Sequence, residues 1–159
     1  MKITILCVGK LKEKYLVDAI GEYAKRLKLY TKLQFIYLQD EKAPENLSPA
    51  DKELIKLKEG KKILSNINER DFVIALAIEG NQLTSEQFAN FINSQMINSI
   101  TNLTFVIGGS LGLSDNVMSR SNYKLSFSKM TLPHQLMQLI LIEQIYRGFK
   151  IIRCEPYHK

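Results

Sequence analysis

Short apolar runs alternate with segments of helical periodicity along this chain, and this alternation restricts the possible folds more than any other feature. The runs occupy residues 2–8, 33–38, 72–78, 103–107 and 123–127. Between them, apolar residues recur at intervals of three and four, which predicts amphipathic helices. The run at 72–78, FVIALAI, is continuous, as is typical of a strand buried on both faces. The pattern therefore predicts an α/β fold with a mostly parallel sheet.

Two helix starts carry recognisable capping signals. Ser48-Pro49 matches an N-cap followed by proline at the first helical position, and the polar segment before it is predicted to be a surface loop. Thr84 and Gln87 have the spacing of a capping box. Further helices are predicted at residues 11–27, after 114 and at about 133–150. No repeat or linker interrupts the pattern, so we expect one domain over residues 1–159.

Composition indicates a basic globular protein. The chain carries a formal net charge of +6 and has a pI of about 9.3, which favours an anionic partner without identifying one. Cys7 and Cys154 stand far apart with no metal-binding spacing, and Cys7 lies in a strand pattern as a small core residue. We therefore expect a cytoplasmic protein without a metal site, and no segment has the length of a membrane span.

A glycine loop follows the fourth predicted strand in the stretch NLTFVIGGSLGLSD. Gly108, Gly109 and Gly112 give a G-G-x-x-G pattern, which is neither the dinucleotide fingerprint nor a P-loop. In a parallel sheet, ligands bind beyond the carboxyl ends of the strands. The segments after residues 78, 107 and 123 are therefore predicted to line one pocket.

The two histidines each allow two interpretations. His134 follows Pro133 in the first turn of the last helix, where a neutral imidazole could accept a proton or could simply face solvent. His158 lies in the C-terminal tail, residues 153–159 (RCEPYHK). Such a tail either frays or docks, and if docked its aromatic and basic side chains could contact RNA.

Several segments together resemble one known family. FVIGGSLG, SFSKMTLPH, EQIYRGFKI and the terminal PYHK, with the opening VGKLKEKY, closely resemble the RlmH family of bacterial ribosomal RNA large-subunit methyltransferases, of the SPOUT class. The resemblance covers essentially the whole chain. It implies methylation of N3 of a pseudouridine in helix 69 of 23S rRNA with S-adenosylmethionine (SAM) as donor. It also implies a homodimer and a trefoil knot in the C-terminal part, a feature that no periodicity reveals.

The resemblance also assigns site residues. The catalytic and substrate positions of the family fall on His134, Arg147, Tyr157 and His158. The positions that contact SAM fall on Leu76, Gly108, Phe127, Ser128, Lys129, Met130, Thr131 and Leu132. At Cys154 the relatives commonly have a small residue such as glycine.

Two other functions remain compatible with the residues alone. One is a non-enzymatic ribosome- or RNA-binding factor that uses the basic surface and tail, and the other is a flavodoxin-like domain that binds a nucleotide phosphate at the glycine loop. The last helix is also open to two interpretations. Its apolar residues exceed the needs of one face, so it is either buried within one chain or part of a dimer interface; these residues are Leu136, Leu139, Ile140 and Ile142.

Overall fold

The computed structural model describes residues 1–158, in which strands and helices alternate without exception. The strands are β1 (Lys2–Val8), β2 (Lys32–Leu38), β3 (Phe72–Gln82), β4 (Asn102–Ile107) and β5 (Tyr123–Ser126). The helices are α1 (Lys14–Leu27), α2 (Pro49–Ser65), α3 (Ser85–Ile97), α4 (Asp115–Arg120) and α5 (His134–Ile152).

The five strands form one sheet in the order β2-β1-β4-β3-β5, and every neighbouring pair is parallel. The predicted α/β fold is therefore confirmed, and the sheet is entirely parallel. Because β1 and β4 lie inside the sheet, their backbone groups pair on both sides and their side chains are covered on both faces.

Alternate residues of the inner strands fill two separate cores. Ile3, Ile5 and Cys7 of β1 pack in the larger core with α1, α3 and α5. Leu6 and Val8 point to the opposite face and pack with α2 and α4. Successive side chains of a strand point to opposite faces, so a strand that is covered on both faces must be apolar at nearly every position. Cys7 is a core residue, as predicted, and burial raises the pKa of its thiol.

Strand β3 is longer than predicted. The apolar run ends at Ile78, but pairing with β5 resumes at Asn81 after a bulge, because Leu76 and Asn81 both pair with Leu125. Gly80 lies inside the bulge, where an added Cβ would come within 2.7 Å of the backbone of Leu125. A close approach of two backbones thus extends a strand that hydrophobic patterning could not detect.

Local capping signals set the helix ends as expected. The Ser48 hydroxyl accepts from the Asp51 N–H, and Thr84 and Gln87 form the reciprocal capping box. Helix α5 ends differently, in a Schellman turn in which the N–H of Glu155 donates to the carbonyl of Lys150. Cys154 occupies the left-handed position of this turn with φ of 53°. That conformation favours glycine and directs the tail back along the helix.

Two features are absent from residues 1–158. No helix in that range is both long and apolar enough to span a membrane. No group of three or more His, Cys, Asp or Glu side chains there is arranged to hold a metal ion.

Candidate functional site

A cleft of about 720 Å³ opens at the carboxyl ends of β3, β4 and β5. The three strand exits singled out in the sequence therefore line one pocket, as predicted. Its volume lies within the range of roughly 300–1,000 Å³ that is usual for small-molecule sites. The cleft has an apolar floor and several hydroxyl groups; its side chains include Leu76, Ile107, Met118, Leu125, Ser126, Phe127, Ser128, Thr131, Leu132 and Met137.

Most of the residues predicted to bind SAM line this cleft together. They are Leu76, Gly108, Phe127, Ser128, Met130, Thr131 and Leu132. Lys129 does not line it; its side chain is exposed between two lining residues. His134 lines the same cleft at the start of α5. One cavity thus joins the proposed cofactor residues to one of the two histidines.

The glycines of the loop at 108–112 are required by the packing of the loop itself. An added Cβ at Gly108 would lie 2.9 Å from the backbone carbon of Gly112, and one at Gly109 would lie 3.1 Å from a carboxylate oxygen of Glu59. Gly112 has φ of 83°, and the position of its missing Cβ faces open space. The first two glycines therefore allow a tight turn over a buried carboxylate, and burial raises the pKa of Glu59.

The loop at 126–132 on the other side of the cleft is shaped by its own serines. The Ser126 hydroxyl donates to the carbonyl of Ser128, and the Ser128 hydroxyl accepts from the N–H of Met130. These short-range bonds replace secondary structure and hold the backbone in a turn at the cleft wall. Met130 is 73% exposed and lines the cleft at its solvent edge.

His134 rests on the loop that follows β1. Gly9 has φ of 88°, and a Cβ added there would lie 3.3 Å from Nε2 of His134. One residue further on, the side-chain oxygen of Gln135 accepts from the N–H of Lys12 at 2.9 Å. The first turn of α5 is thereby attached to the end of β1, and the imidazole is held at the edge of the cleft.

Glu143 organises a second cluster further along α5. Its Oε1 accepts from Nε and Nη2 of Arg147 at 3.0 and 2.7 Å, and from the Tyr157 hydroxyl at 3.1 Å. The guanidinium of Arg147 also lies over the Tyr157 ring, 4.7 Å from its centroid. Glu143 raises the pKa of Arg147, and burial is the main reason why the pKa of Tyr157 is raised as well.

His158 completes this group, which we call the tail cluster: Glu86, Glu143, Arg147, Tyr157 and His158. Nδ1 of His158 lies 3.3 Å from Nη1 of Arg147, and Nε2 lies 2.7 Å from Oε1 of Glu86 at the start of α3. The pKa of Glu86 falls to about 2, chiefly through its own backbone N–H, then through Thr84 and His158. The tail is therefore docked through its last described residue, against the frayed alternative.

The structure divides the four proposed catalytic residues into two places. Arg147, Tyr157 and His158 lie together in the tail cluster, whereas His134 lies in the cleft. His134 and Arg147 are thirteen positions apart on α5, which corresponds to about 20 Å along the helix axis. A single nucleotide base cannot contact both places within one chain.

Sequence reasoning missed Glu143 and Glu86 as members of this arrangement. The spacing of Glu143 and Arg147, four residues apart on a predicted helix, was a usable signal for the first. For Glu86 no local signal existed, because its contact with His158 joins residues 72 positions apart. Gly9 directly follows the first predicted strand, and the sequence gives no sign of its contact with His134.

A family comparison assigns the fold to a known class of enzyme. A family model described as "Predicted SPOUT methyltransferase" matches residues 1–158. The chain belongs to this SPOUT methyltransferase family. Members of the family generally use SAM, so the cleft at the strand ends is the cavity to examine for that group.

Curated SPOUT relatives match the chain from end to end. A Clostridium tetani protein is 61% identical over 159 residues, a Bacillus pumilus protein 60% and an Enterococcus faecalis protein 57%, with full coverage of both chains in each case. All three are named "Ribosomal RNA large subunit methyltransferase H".

Solved structures agree on the SPOUT fold at low sequence identity. A probable methylase family protein from Haemophilus influenzae has a TM-score of 0.54 at 12% identity, covering 99% of this chain and 70% of its own. A tRNA (m1G37) methyltransferase from Aquifex aeolicus has a TM-score of 0.55 at 12% identity, covering 92% and 70%. These two likenesses concern the fold alone.

Proposed function

We propose that this SPOUT methyltransferase transfers the methyl group of SAM to N3 of a pseudouridine in helix 69 of 23S rRNA. The observation that carries the proposal is full-length identity of 57–61% to relatives named as large-subunit rRNA methyltransferases. The basic net charge of +6 suits an RNA partner, because phosphate contacts dominate the affinity of proteins for nucleic acids. Such a substrate also makes the cytoplasm the expected location.

The cleft suits SAM in size and chemistry. SAM would supply an electrophilic methyl group on a sulfonium sulfur. The apolar floor at Leu76, Ile107 and Leu125 can cover an adenine ring, and the 126–132 loop offers backbone and hydroxyl groups to polar atoms. Gly112 leaves open space where other residues have a Cβ, so that a ligand can approach the backbone there.

The chain's own residues have two tasks in this reaction. N3 of pseudouridine is a weakly acidic imide, so a protein group must accept its proton as the base is aligned with the methyl donor. His134 and His158 are the candidates for that group. Arg147 keeps N–H donors beyond those bonded to Glu143, which suits a phosphate, and the half-buried Tyr157 beside it is the proposed stacking or hydrogen-bonding partner of the base.

The separation of the two places supports a homodimer with shared sites. The two places lie about 20 Å apart within one chain. If the tail cluster of one protomer meets the cleft of its partner, a single base can contact both. Leu136 and Ile140, one turn apart on α5, are half-buried yet pack with neither core, and a partner chain could cover them. Ile142, in contrast, is fully buried within the chain and contributes nothing to such a surface. The C-terminal trefoil knot stays a prediction of the resemblance.

Calorimetric titration with SAM tests the cofactor assignment. We expect SAM to bind the wild-type protein and to bind poorly to a folded Gly108→Val variant, because the glycine loop cannot close over a branched side chain. Ribosome binding without SAM binding would instead indicate a non-enzymatic factor. Binding of a flavin or nucleoside phosphate in place of SAM would indicate the flavodoxin-like alternative.

Complementation between two inactive variants tests the shared site. One variant lacks residues 157–159, of which Lys159 lies outside the described residues, and the other carries Gly108→Val. Each alone should be inactive on ribosomes, and the truncated protein should still bind SAM. Co-refolded in equal amounts, they should recover about a quarter of the wild-type sites, since about half of the dimers are mixed and each has one intact site. A fully active monomer by light scattering would contradict the dimer.

A further inference from the structure

The two histidines have opposite hydrogen-bonding states, and this difference separates their roles. We propose that His134 accepts the N3 proton of the target base, and that His158 is a positioning residue that fixes the tail. The inference rests on the proposed function, which left the two histidines equivalent.

Both ring nitrogens of His158 are engaged by groups that dictate its tautomer. A guanidinium offers donors only, so Nδ1 of His158, 3.3 Å from Nη1 of Arg147, must accept a hydrogen bond there. The proton of the neutral ring then lies on Nε2, which donates to the Glu86 carboxylate at 2.7 Å. The lone pair that a general base needs is therefore already occupied by Arg147.

Charged and titratable groups enclose His158 from several elements. Glu86 faces it from α3, Arg147 and Glu143 lie on α5, and Tyr157 precedes it in the tail. The Tyr157 hydroxyl lies 3.3 Å from that of Tyr23 on α1, which anchors the cluster to a third helix. A neutral imidazole with one donor and one acceptor thus joins a carboxylate to a guanidinium. This arrangement stabilises the tail and leaves no nitrogen for a substrate.

His134 has the complementary arrangement. Its ring lines the cleft and has no hydrogen-bond partner within residues 1–158, while Gly9 beneath it leaves space for the imidazole. Nε2 of His134 lies against Gly9, and no hydrogen bond within residues 1–158 occupies either ring nitrogen, so a lone pair is available at the edge of the cavity that would hold the methyl donor. N3 loses its proton to this nitrogen and bonds to the methyl carbon as that carbon leaves the sulfonium sulfur, which keeps the bonding electrons and becomes a neutral thioether. The imidazolium then releases its proton to water.

Glutamine substitution separates the two roles. A glutamine at 158 can donate to Glu86 and accept from Arg147 but cannot take up a proton, so it preserves the positioning role alone. We expect His158→Gln to keep its single-turnover methylation rate on ribosomes within a few-fold of wild type, and His158→Ala to lose more. His134→Gln should lose about 10²–10⁴-fold while retaining SAM affinity, the usual contribution of a proton-handling group. His134→Asn is the second variant if His134→Gln does not fold.

Two further readouts distinguish positioning from proton transfer. The acidic limb of the pH–rate profile should persist in His158→Gln and disappear in His134→Gln. Nitrogen-15 spectra of histidine-labelled protein should show His158 protonated at Nε2 only, and Arg147→Ala should abolish that preference. If the wild type transfers methyl groups but His158→Gln loses as much rate as His134→Gln, the inference is wrong. If the wild-type protein transfers none, the proposed function itself fails.

Discussion

Replacing Glu143 by alanine tests the organisation of the tail cluster most severely. The Glu143 side chain is 19% exposed and that of Arg147 25%, so the pair lies between a surface ion pair and a buried one. Removing one partner of a buried pair costs about 3–5 kcal/mol, and an exposed pair contributes about 0–1 kcal/mol. Because Glu143 and Arg147 lie on the same helix, their pairing itself persists when the tail opens, and Glu143 acts on docking through the Tyr157 hydroxyl. A hydrogen bond to a charged group contributes about 1.5–3 kcal/mol, and Glu143→Ala removes this one. We expect a loss of about 2 kcal/mol in docking of the tail, which is about 30-fold in its opening equilibrium.

Amide hydrogen exchange measures that opening directly. The amide of Glu155, which donates to the carbonyl of Lys150, should exchange about 30-fold faster in Glu143→Ala, while amides of β1 and β4 keep their protection. Glu22→Ala is the matched control, because Glu22 pairs with Arg26 at the same helical spacing but is 53% exposed. Tail exchange in Glu143→Ala that equals that of Glu22→Ala would refute the assignment of Glu143 as the organiser of the cluster. SAM affinity should be unchanged in both variants.

Three further predictions concern separate parts of the structure. Gly108→Ala should lower the melting temperature and SAM affinity together, because its Cβ would lie 2.9 Å from the Gly112 backbone; a small gain in stability would contradict this packing. Cys154→Gly should stabilise the protein by about 1 kcal/mol in urea denaturation by relieving a left-handed non-glycine residue, and no change would argue against the Schellman turn. The lowered pKa of Glu86 adds stability that is complete above about pH 4.5 and is lost as the pH falls towards 2. Melting temperatures should therefore fall more steeply over that window in wild type than in Glu86→Gln, whose residue at 86 cannot titrate.

The fold was predictable because local signals agree with one another. The runs that became β1 and β4 are apolar on both faces, as inner parallel strands require, and Ser48 and Thr84 mark helix starts through contacts only three residues long. The extension of β3 was not predictable from these signals. It depends on the pairing of Asn81 with Leu125, which lies more than forty residues away. Hydrophobic periodicity is a local pattern and does not indicate such a pairing.

The site was predictable to a lesser extent. The rule that ligands bind beyond strand ends located the cleft, and the resemblance named residues that line it. The spacing G-G-x-x-G did not reveal that Gly108 and Gly109 are required by packing within the loop and against Glu59. The partners of His158 could not be predicted either, because the sequence does not reveal that the tail returns along α5 to reach Glu86.

The proposed transfer of a methyl group from SAM to N3 of one pseudouridine can be measured directly. The most direct test incubates ribosomes that lack the modification with the protein and SAM carrying a deuterated methyl group, followed by nuclease digestion and mass spectrometry of the 23S rRNA. We expect one labelled nucleoside, N3-methylpseudouridine, confined to the helix 69 fragment and absent with Gly108→Val. A label on any other nucleoside, or SAM bound without transfer to 23S rRNA, would contradict it.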